Sequence, residues 1–251
     1  MAIGRAKLAV AQGMSVWVLE APEGFGDADF HAHHAIQITI CLSGALSLTS
    51  GTITINASAI AVAADAFHRF QAHGLLLFIF IEPESRAGRA LGRRLFAGQV
   101  LAELEADDLL DIVEPIRGTF DDRLPVATLL DVGRVVVEYL APPGPTLLPD
   151  PCVQKVIEHI ALHPDKSLHS AAAACGVHLS PSRLRHLFVE QTGLAFKTYL
   201  LWLRLVRALE VYAQGRSLTE AAHAAGFSDS AHFSRVFKRT FGLPATTLER
   251  I

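Results

Sequence analysis

The second half of the chain contains one pattern twice, SLHSAAAACGVHLSPSRLRHLF at residues 167–188 and SLTEAAHAAGFSDSAHFSRVFK at residues 217–238. In each copy an alanine-rich helix pattern runs from Ser-Leu to a glycine, Gly176 or Gly226, and a second helix pattern follows after a short turn. Alanine allows two helices to approach closely, and glycine can adopt the tight or positive-φ conformation of the turn between them. The spacing therefore predicts a helix-turn-helix in each copy.

The second helix of each copy has an apolar face and polar faces. Ser180, followed by Pro181 at the first helical position, is a start signal for this helix in the first copy. The apolar positions are Leu184, Leu187 and Phe188, and Phe233, Val236 and Phe237. The polar positions are Ser182, Arg183, Arg185 and His186, and Ser230, Ser234, Arg235 and Lys238. One copy alone would fit a helical hairpin with a solvated basic face equally well, but two copies favour a nucleic-acid-binding module.

Charge is distributed unevenly along the chain. Residues 151–251 hold 12 Lys and Arg against 7 Asp and Glu, whereas residues 1–150 hold 10 against 18. The net charge of −3 therefore averages a basic half and an acidic half. This division fits a nucleic-acid module attached to a domain of another function, although chance asymmetry explains the charge alone equally well.

Residues 152–251 resemble the DNA-binding domain of the AraC/XylS family of bacterial transcription regulators. The most specific match is GFSDSAHFSRVFKRTFGLP at residues 226–244, which follows the family's motif almost position for position. Further matching positions are Ser180, Leu184, Phe188, Gly193, Tyr199, Arg204 and Ala208. The chain departs from the family at Val189-Glu190, where a Lys often follows the Phe, and at residues 248–250, which lack the usual Tyr-Arg.

The resemblance implies two recognition helices that enter successive major grooves on one face of double-stranded promoter DNA, roughly 34 Å apart. The base-reading positions carried over from the family are Ser182, Arg185 and His186 in the first helix and Ser230, Ser234 and Arg235 in the second. The positions expected to bind phosphate are Arg183, Lys197, Lys238 and Arg239. Phosphate contacts position a protein on DNA, whereas arginine at a base-reading position can bind guanine O6 and N7 together and specify sequence.

A proline-rich segment, APPGPTLLPDP at residues 141–151, separates the two halves. Proline blocks helix continuation and restricts the residue before it, so we expect an extended connector. The predicted domains are an effector-sensing barrel (1–85), a helical dimerisation segment (86–140), a linker (141–151) and the double helix-turn-helix domain (152–251). Such a linker favours rearrangement of domains over transmission of a signal through a rigid helix.

The residues before the linker fall into a β-rich part and a helical part. Short runs with period-two alternation, separated by turns that contain glycine, predict strands at 15–19, 35–40, 45–49, 52–55, 60–62 and 75–81. Helical spacing follows, with one stripe at Leu101, Leu104, Leu109, Ile112, Val113 and Ile116 and another at Leu129, Val132, Val136 and Leu140. These two helices either complete the core of the barrel or pair with a second subunit. The expected fold class is α+β and multidomain: a cupin-like β-barrel followed by two helices, then an all-α domain with two helix-turn-helix motifs.

A histidine cluster, FHAHHAIQ at residues 30–37, precedes and enters one of the predicted strands. Because alternate residues of a strand share a face, His31, His33 and Gln37 are expected on one side and His34 on the other. The spacing of His31, His33, Gln37 and Gly44 resembles the first motif of the cupin barrel. His68 matches the histidine of the second cupin motif.

The cupin resemblance is incomplete. Ala63 and Asp65 occupy the places of a Pro and a Gly, and Gln37, a neutral and weaker ligand, replaces the acidic metal ligand. Three imidazoles can still bind Zn²⁺, Fe²⁺, Ni²⁺ or Cu²⁺. The candidate metal ligands are His31, His33 and His68, and the candidate effector pocket comprises the same histidines with Gln37. AraC-type sensor domains commonly use this barrel without metal, so an organic effector and a purely structural role remain alternatives.

These features predict a transcription regulator that is not an enzyme. Its barrel binds a small-molecule or metal effector, residues 86–140 form a homodimer, and the basic domain binds promoter DNA, with RNA polymerase as a further partner. The alternative is a metal-dependent cupin enzyme that carries an accessory DNA-binding domain, but such an enzyme does not explain the double helix-turn-helix and would lack its acidic ligand. A regulator whose barrel has lost its ligand is a third reading.

Membrane and disulfide features are missing from the sequence. No apolar run reaches the ~18 residues of a membrane span, and the N-terminus lacks the pattern of a signal peptide. Cys41, Cys152 and Cys175 form neither a disulfide framework nor a C-x-x-C motif. We therefore expect a cytoplasmic protein with buried, inert thiols.

Overall fold

The N-terminal half forms an eight-stranded sheet. The computed structural model describes residues 4–22, 28–117, 120, 125–142, 150–164 and 166–250, with the backbone alone for 247–250. The strands are β1 (Gly4–Ala11), β2 (Met14–Ala21), β3 (Ile36–Ser50), β4 (Ile53–Asn56), β5 (Ala59–Val62), β6 (Arg69–Ile81), β7 (Leu101–Glu103) and β8 (Leu248–Arg250). Their order is β7-β5-β3-β6-β2-β1-β8, with β4 paired to β3. Every described pairing is antiparallel except that of β1 with β8.

The centre of the sheet is a close crossing of β3 and β6. The turn predicted between residues 40 and 45 was wrong, because both flanking runs belong to the single 15-residue strand β3. Gly44 of β3 pairs with Gly74 of β6, and both have a positive φ, +94° and +97°. A Cβ atom at Gly44 would lie 2.0 Å from the carbonyl oxygen of His73, so only glycine permits this approach.

One face of the sheet is covered by helices α1 (Arg86–Leu95), α2 (Asp107–Arg117) and α3 (Val126–Leu140). Leu109 of α2 and Leu129 of α3 are buried in one core cluster with Ile38 and Ile79 of the sheet. The predicted helical stripe was wrong at its start, because Leu101 lies in β7 and α2 begins only at Asp107. Three helices, not two, are described between residues 86 and 140. Their packing shows that they complete the core of the sheet, while pairing with a second subunit stays a prediction.

The C-terminal half contains the helices α4 (Pro151–Leu162), α5 (Leu168–Ala174), α6 (Pro181–Thr192), α7 (Phe196–Ala213), α8 (Leu218–Ala224) and α9 (Ser230–Phe241). Ser180 caps α6 and Asp229 caps α9 through side-chain oxygens that accept hydrogen bonds from backbone N–H groups, as the sequence predicted. A short 3₁₀ turn, Ala245–Thr247, precedes β8, so the expectation of an entirely helical half was wrong at its end. Of the predicted linker 141–151, residues 143–149 lie outside the described part of the chain.

The two helix-turn-helix units pack in different places. The first has its own core, in which Leu184 and Phe188 contact Tyr199. The second shares a core with the other face of the sheet, where the rings of Trp17 and Phe241 lie 4.8 Å apart between centroids. The sheet is therefore covered by α1–α3 on one face and by the second helix-turn-helix on the other.

The thiols and the hydropathy of the helices give a mixed result. All three cysteines are unpaired, but only Cys41 is buried, so the expectation of buried thiols was wrong for Cys152 and Cys175. None of the helices in the described ranges is long and apolar enough to cross a membrane.

Candidate functional site

Three histidines converge beside β3, as the sequence predicted. His31 and His68 face each other in an isolated antiparallel bridge, in which each backbone N–H donates to the other residue's carbonyl oxygen at 2.8 Å. Together with His33 they form a buried group, and one ring nitrogen from each lies within 4.8 Å of the other two. We call His31, His33 and His68 the triad.

The hydrogen bonds of the triad determine which ring nitrogens carry protons. In each ring Nδ1 lies 2.8 or 2.9 Å from a backbone carbonyl oxygen, that of Asp29, Ala35 or Ala66 respectively. A carbonyl oxygen can only accept, so each Nδ1 is the donor and each Nε2 retains its lone pair. A backbone carbonyl that fixes the tautomer in this way is the usual support for a metal-binding histidine.

Two further polar atoms distinguish this cluster from a satisfied hydrogen-bond network. The Nε2 atom of His68 is fully buried and has no hydrogen-bond partner. The Nε2 atom of His33 lies 2.9 Å from Oε1 of Gln37, and the amide nitrogen of Gln37 donates to Thr39. An unpartnered buried nitrogen is costly, so the triad is better suited to a ligand than to a purely structural role.

Burial keeps the triad neutral. It lowers the pKa of His31 to about 4, and the nearby His33 adds to the shift. Burial is also the main cause that lowers the pKa values of His33 and His68. Neutral imidazoles with exposed lone pairs are the form that binds a metal ion.

The cavity beside the triad is small and apolar. Its volume is about 30 Å³, which is room for about one water molecule. It is lined by Ala6, Trp17, Leu19, His31, Gln37, Phe70, Phe78, Phe80, Phe237, Phe241 and Leu243. Phe237 and Phe241 come from α9, so the second helix-turn-helix occupies space inside the predicted effector pocket. In this conformation the pocket has no room for an organic molecule of ordinary size.

His34 lies on the opposite side of the chain from His33, as strand alternation predicted. Its Nε2 is 3.0 Å from the Glu84 carboxylate, and its Nδ1 is 3.4 Å from that of Asp65. Burial by itself lowers the pKa of His34, but the two carboxylates outweigh it and raise the pKa to about 9. Glu84 also accepts a 2.6 Å hydrogen bond from the hydroxyl of Tyr199 in α7. This buried network joins the sheet to the DNA-binding half, and no sequence pattern indicated Glu84.

A larger groove lies between the sheet and α1. Its volume is about 530 Å³, and its walls include Ile36, Phe96, Arg89 and Arg93. The Arg89 guanidinium donates to the backbone and side-chain oxygens of Gln191 in α6, at 3.0 and 3.2 Å. The groove thus borders the first helix-turn-helix, and it was not anticipated from the sequence.

The proposed DNA-contacting residues differ in exposure between the two recognition helices. In α6, Ser182, Arg183, Arg185 and His186 are all exposed, and Lys197 is exposed at the start of α7. In α9, Arg235, Lys238 and Arg239 are exposed, whereas Ser230 and Ser234 are half-buried. Lys238 is also paired with Asp29 of the sheet domain, with 3.0 Å between the ammonium nitrogen and a carboxylate oxygen.

The sequence comparisons cover the C-terminal half. A family model described as a helix-turn-helix domain matches residues 173–250. The arabinose operon regulatory protein of Salmonella typhimurium is 35% identical over 109 residues, which are 43% of this chain and 37% of that protein. The HTH-type transcriptional regulator GlxA of Rhizobium meliloti is 35% identical over 101 residues, 40% of this chain and 31% of that protein. The chain thus spans about a third of the length of these curated relatives.

The structural comparison covers almost the whole chain. ToxT of Vibrio cholerae, bound to (E)-4-(8-methylnaphthalen-1-yl)but-3-enoic acid, matches with a TM-score of 0.55 and 14% identity over 97% of both chains. A second ToxT structure matches with a TM-score of 0.52 and 16% identity, over 94% of this chain and 96% of that one. At this identity the likeness concerns the fold alone. It confirms the predicted two-domain architecture, and the family match confirms the helix-turn-helix domain.

Proposed function

We propose that this chain, whose C-terminal half is a double helix-turn-helix domain of the AraC/XylS type, is a transcription regulator that binds promoter DNA and responds to a ligand at the triad. The observation that carries the proposal is the pair of recognition helices, which bring polar and basic side chains to the surface from two similar units. Base reading is assigned to Ser182, Arg185, His186, Ser230, Ser234 and Arg235, and phosphate binding to Arg183, Lys197, Lys238 and Arg239.

The ligand that fits the triad best is a transition-metal ion. His31, His33 and His68 offer neutral Nε2 donors whose Nδ1 atoms are held by backbone carbonyls. Imidazole is a good ligand for Zn²⁺, Fe²⁺, Ni²⁺ and Cu²⁺. A bound ion would supply the partner that the buried Nε2 of His68 lacks. The cavity of about 30 Å³ supports an ion over an organic effector at this position.

A metal-dependent enzyme is the less favoured alternative. Gln37 offers a neutral oxygen where an enzyme of the cupin type usually has a carboxylate. Aromatic side chains from α9 fill the space in which a substrate would have to lie. We therefore propose sensing, and not turnover, as the role of the triad.

A homodimer is part of the proposal, with RNA polymerase as a further partner at the promoter and the bacterial cytoplasm as the location. Helix α3 supports self-association, because it exposes three apolar side chains, Val126, Val135 and Tyr139, on a surface that the described residues leave uncovered. ToxT is solved with a carboxylic acid bound, which makes a small organic molecule a second effector class to include in a screen.

The proposal is tested by DNA binding and metal analysis of the purified protein. We expect tighter binding to the DNA upstream of its own gene than to random DNA, and one equivalent of metal per chain. His68→Phe should abolish metal retention without destabilising the metal-free protein, because it removes a buried nitrogen that has no partner. His73→Ala, at an exposed position, is the matched control and should retain the metal. Turnover of a substrate without any DNA binding would contradict the proposal.

A further inference from the structure

The C-terminal end of α9 is attached to the loop that carries the triad. The Asp29 N–H donates to the Gly242 carbonyl oxygen at 3.0 Å, and His31 Nδ1 donates to the Asp29 carbonyl oxygen at 2.8 Å. The Asp29 carboxylate in turn pairs with Lys238 at 3.0 Å. Consecutive polar contacts therefore connect a triad histidine with the last turn of the second recognition helix.

Gly242 is fitted to this loop. It ends α9 in the left-handed conformation, with φ +74°, and a Cβ atom there would lie 2.5 Å from both the Asp29 carbonyl oxygen and His31 Nδ1. Gly193 ends α6 in the same way, with φ +79°, but a Cβ atom there would meet nothing closer than the Asp65 carboxylate at 3.7 Å. The helix-ending role is common to both copies, while the tight seat against the triad loop belongs to the second copy alone.

Aromatic packing completes the attachment. The Phe241 ring lies 4.8 Å from Trp17, 5.6 Å from Phe80 and 6.0 Å from His33, between centroids. Phe241 is buried, so separation of α9 from the sheet would expose it together with the wall of the triad cavity.

We propose that the C-terminal end of α9 is an autoinhibitory latch: while it is seated on the Asp29–His31 loop it weakens DNA binding, and an ion bound at the triad strengthens the seating. This inference rests on the proposed function and adds the direction of regulation. Lys238 is a proposed phosphate contact, and its ammonium group cannot pair fully with Asp29 and with DNA at the same time.

The direction follows from linkage. In the seated conformation the Asp29 carbonyl holds the His31 ring so that its Nε2 faces the other two histidines. Release of α9 removes the Gly242 carbonyl from Asp29 and loosens that ring, so an ion binds the seated conformation more tightly than the released one. A ligand that prefers one conformation shifts the equilibrium toward it, and the coupling is reciprocal. Metal should therefore weaken DNA binding, and DNA should weaken metal binding.

The test measures DNA affinity by fluorescence anisotropy for the full chain, with chelator and with Zn²⁺ as the probe. Asp29→Asn removes the charge that holds Lys238 and preserves the backbone contacts. It should tighten DNA binding about two- to fivefold in chelator, the range expected for an exposed ion pair. Zn²⁺ should weaken DNA binding by the wild type about tenfold, within the usual range of allosteric coupling.

The matched glycine variants separate the latch from helix capping. Gly242→Ala and Gly193→Ala carry the same left-handed strain, but Gly242→Ala alone meets the triad loop. We expect Gly242→Ala to lose most of the Zn²⁺ effect and Gly193→Ala to retain it. Equal DNA affinity of wild type and Asp29→Asn in chelator, or a Zn²⁺ effect that is zero, opposite in sign or equal in the two glycine variants, would overturn the latch. A wild type that binds no promoter DNA would overturn the proposed function, and the latch with it.

Discussion

The Nε2 atom of His33 lies 2.9 Å from the Oε1 atom of Gln37, so two hydrogen-bond acceptors face each other at the edge of the triad. Because His33 Nδ1 donates to a backbone carbonyl, its Nε2 has no proton to offer the amide oxygen. Neighbouring ligands of a six-coordinate ion with bonds of about 2.1 Å are about 2.9 Å apart. The separation therefore matches a shared cation, and rotation of the amide is the other way to relieve the contact.

Gln37→Glu should strengthen metal binding. It places an anionic oxygen where the neutral amide oxygen lies, and we expect a gain in Zn²⁺ affinity of about tenfold, comparable to other changes around a metal site. Gln37→Met, of similar length but with a poor donor, is the control and should weaken binding. A titration against a competing chelator measures both, and equal affinities of all three proteins would exclude Gln37 as a ligand.

Arg235→Ala should reduce specificity more than affinity for random DNA. A bidentate arginine–guanine contact contributes about 1–3 kcal/mol of discrimination, which would disappear from the operator and not from random sequence. Arg183→Ala, at an exposed position of α6, is the comparison. It should weaken binding to both DNAs equally and lower the salt dependence by about one phosphate contact. Salt titrations on both DNAs distinguish the two residues, and identical losses would contradict the assignment.

Tyr199→Phe should destabilise the contact between the sheet and the DNA-binding half. The Tyr199 hydroxyl donates to the buried Glu84 carboxylate, and its loss should cost about 1.5–3 kcal/mol of unfolding free energy. Tyr139→Phe removes a similar bond, to Asp108 at the surface, and should change stability by no more than about 0.5 kcal/mol. Urea denaturation compares the two variants, and equal effects would mean that the buried bond has no special weight.

Glu82→Gln should make the protein more stable above neutral pH. Burial, followed by the charge of Glu84, raises the pKa of Glu82 from 4.5 to about 7, although His34 opposes the shift. The unfolded chain therefore loses this proton at lower pH than the folded chain does, so wild-type stability falls between about pH 4.5 and pH 7. The advantage of Glu82→Gln should grow over that interval to at most roughly 3 kcal/mol. Denaturation at pH 4.5 and pH 8 measures it, and a constant difference would contradict the assigned pKa.

Features that depend on neighbouring residues could be predicted from the sequence. The caps at Ser180 and Asp229 and the turns at Gly176 and Gly226 are local, since a side chain or a positive φ within a few residues decides them. The opposite orientations of His33 and His34 follow from the alternation of an extended chain. These local rules were sufficient to predict the double helix-turn-helix and to select the three histidines of the triad.

Tertiary structure decided how those parts act on one another. The seat of Gly242 against His31, the bond from Tyr199 to Glu84 and the pairing of Gly44 with Gly74 join residues 30 to about 210 positions apart. No periodicity encodes such contacts, because each depends on the relative placement of whole elements. The sequence by itself determined a DNA-binding half and a candidate metal site. The packing of α9 on the sheet, driven by burial of Phe237 and Phe241, decided that the two lie side by side.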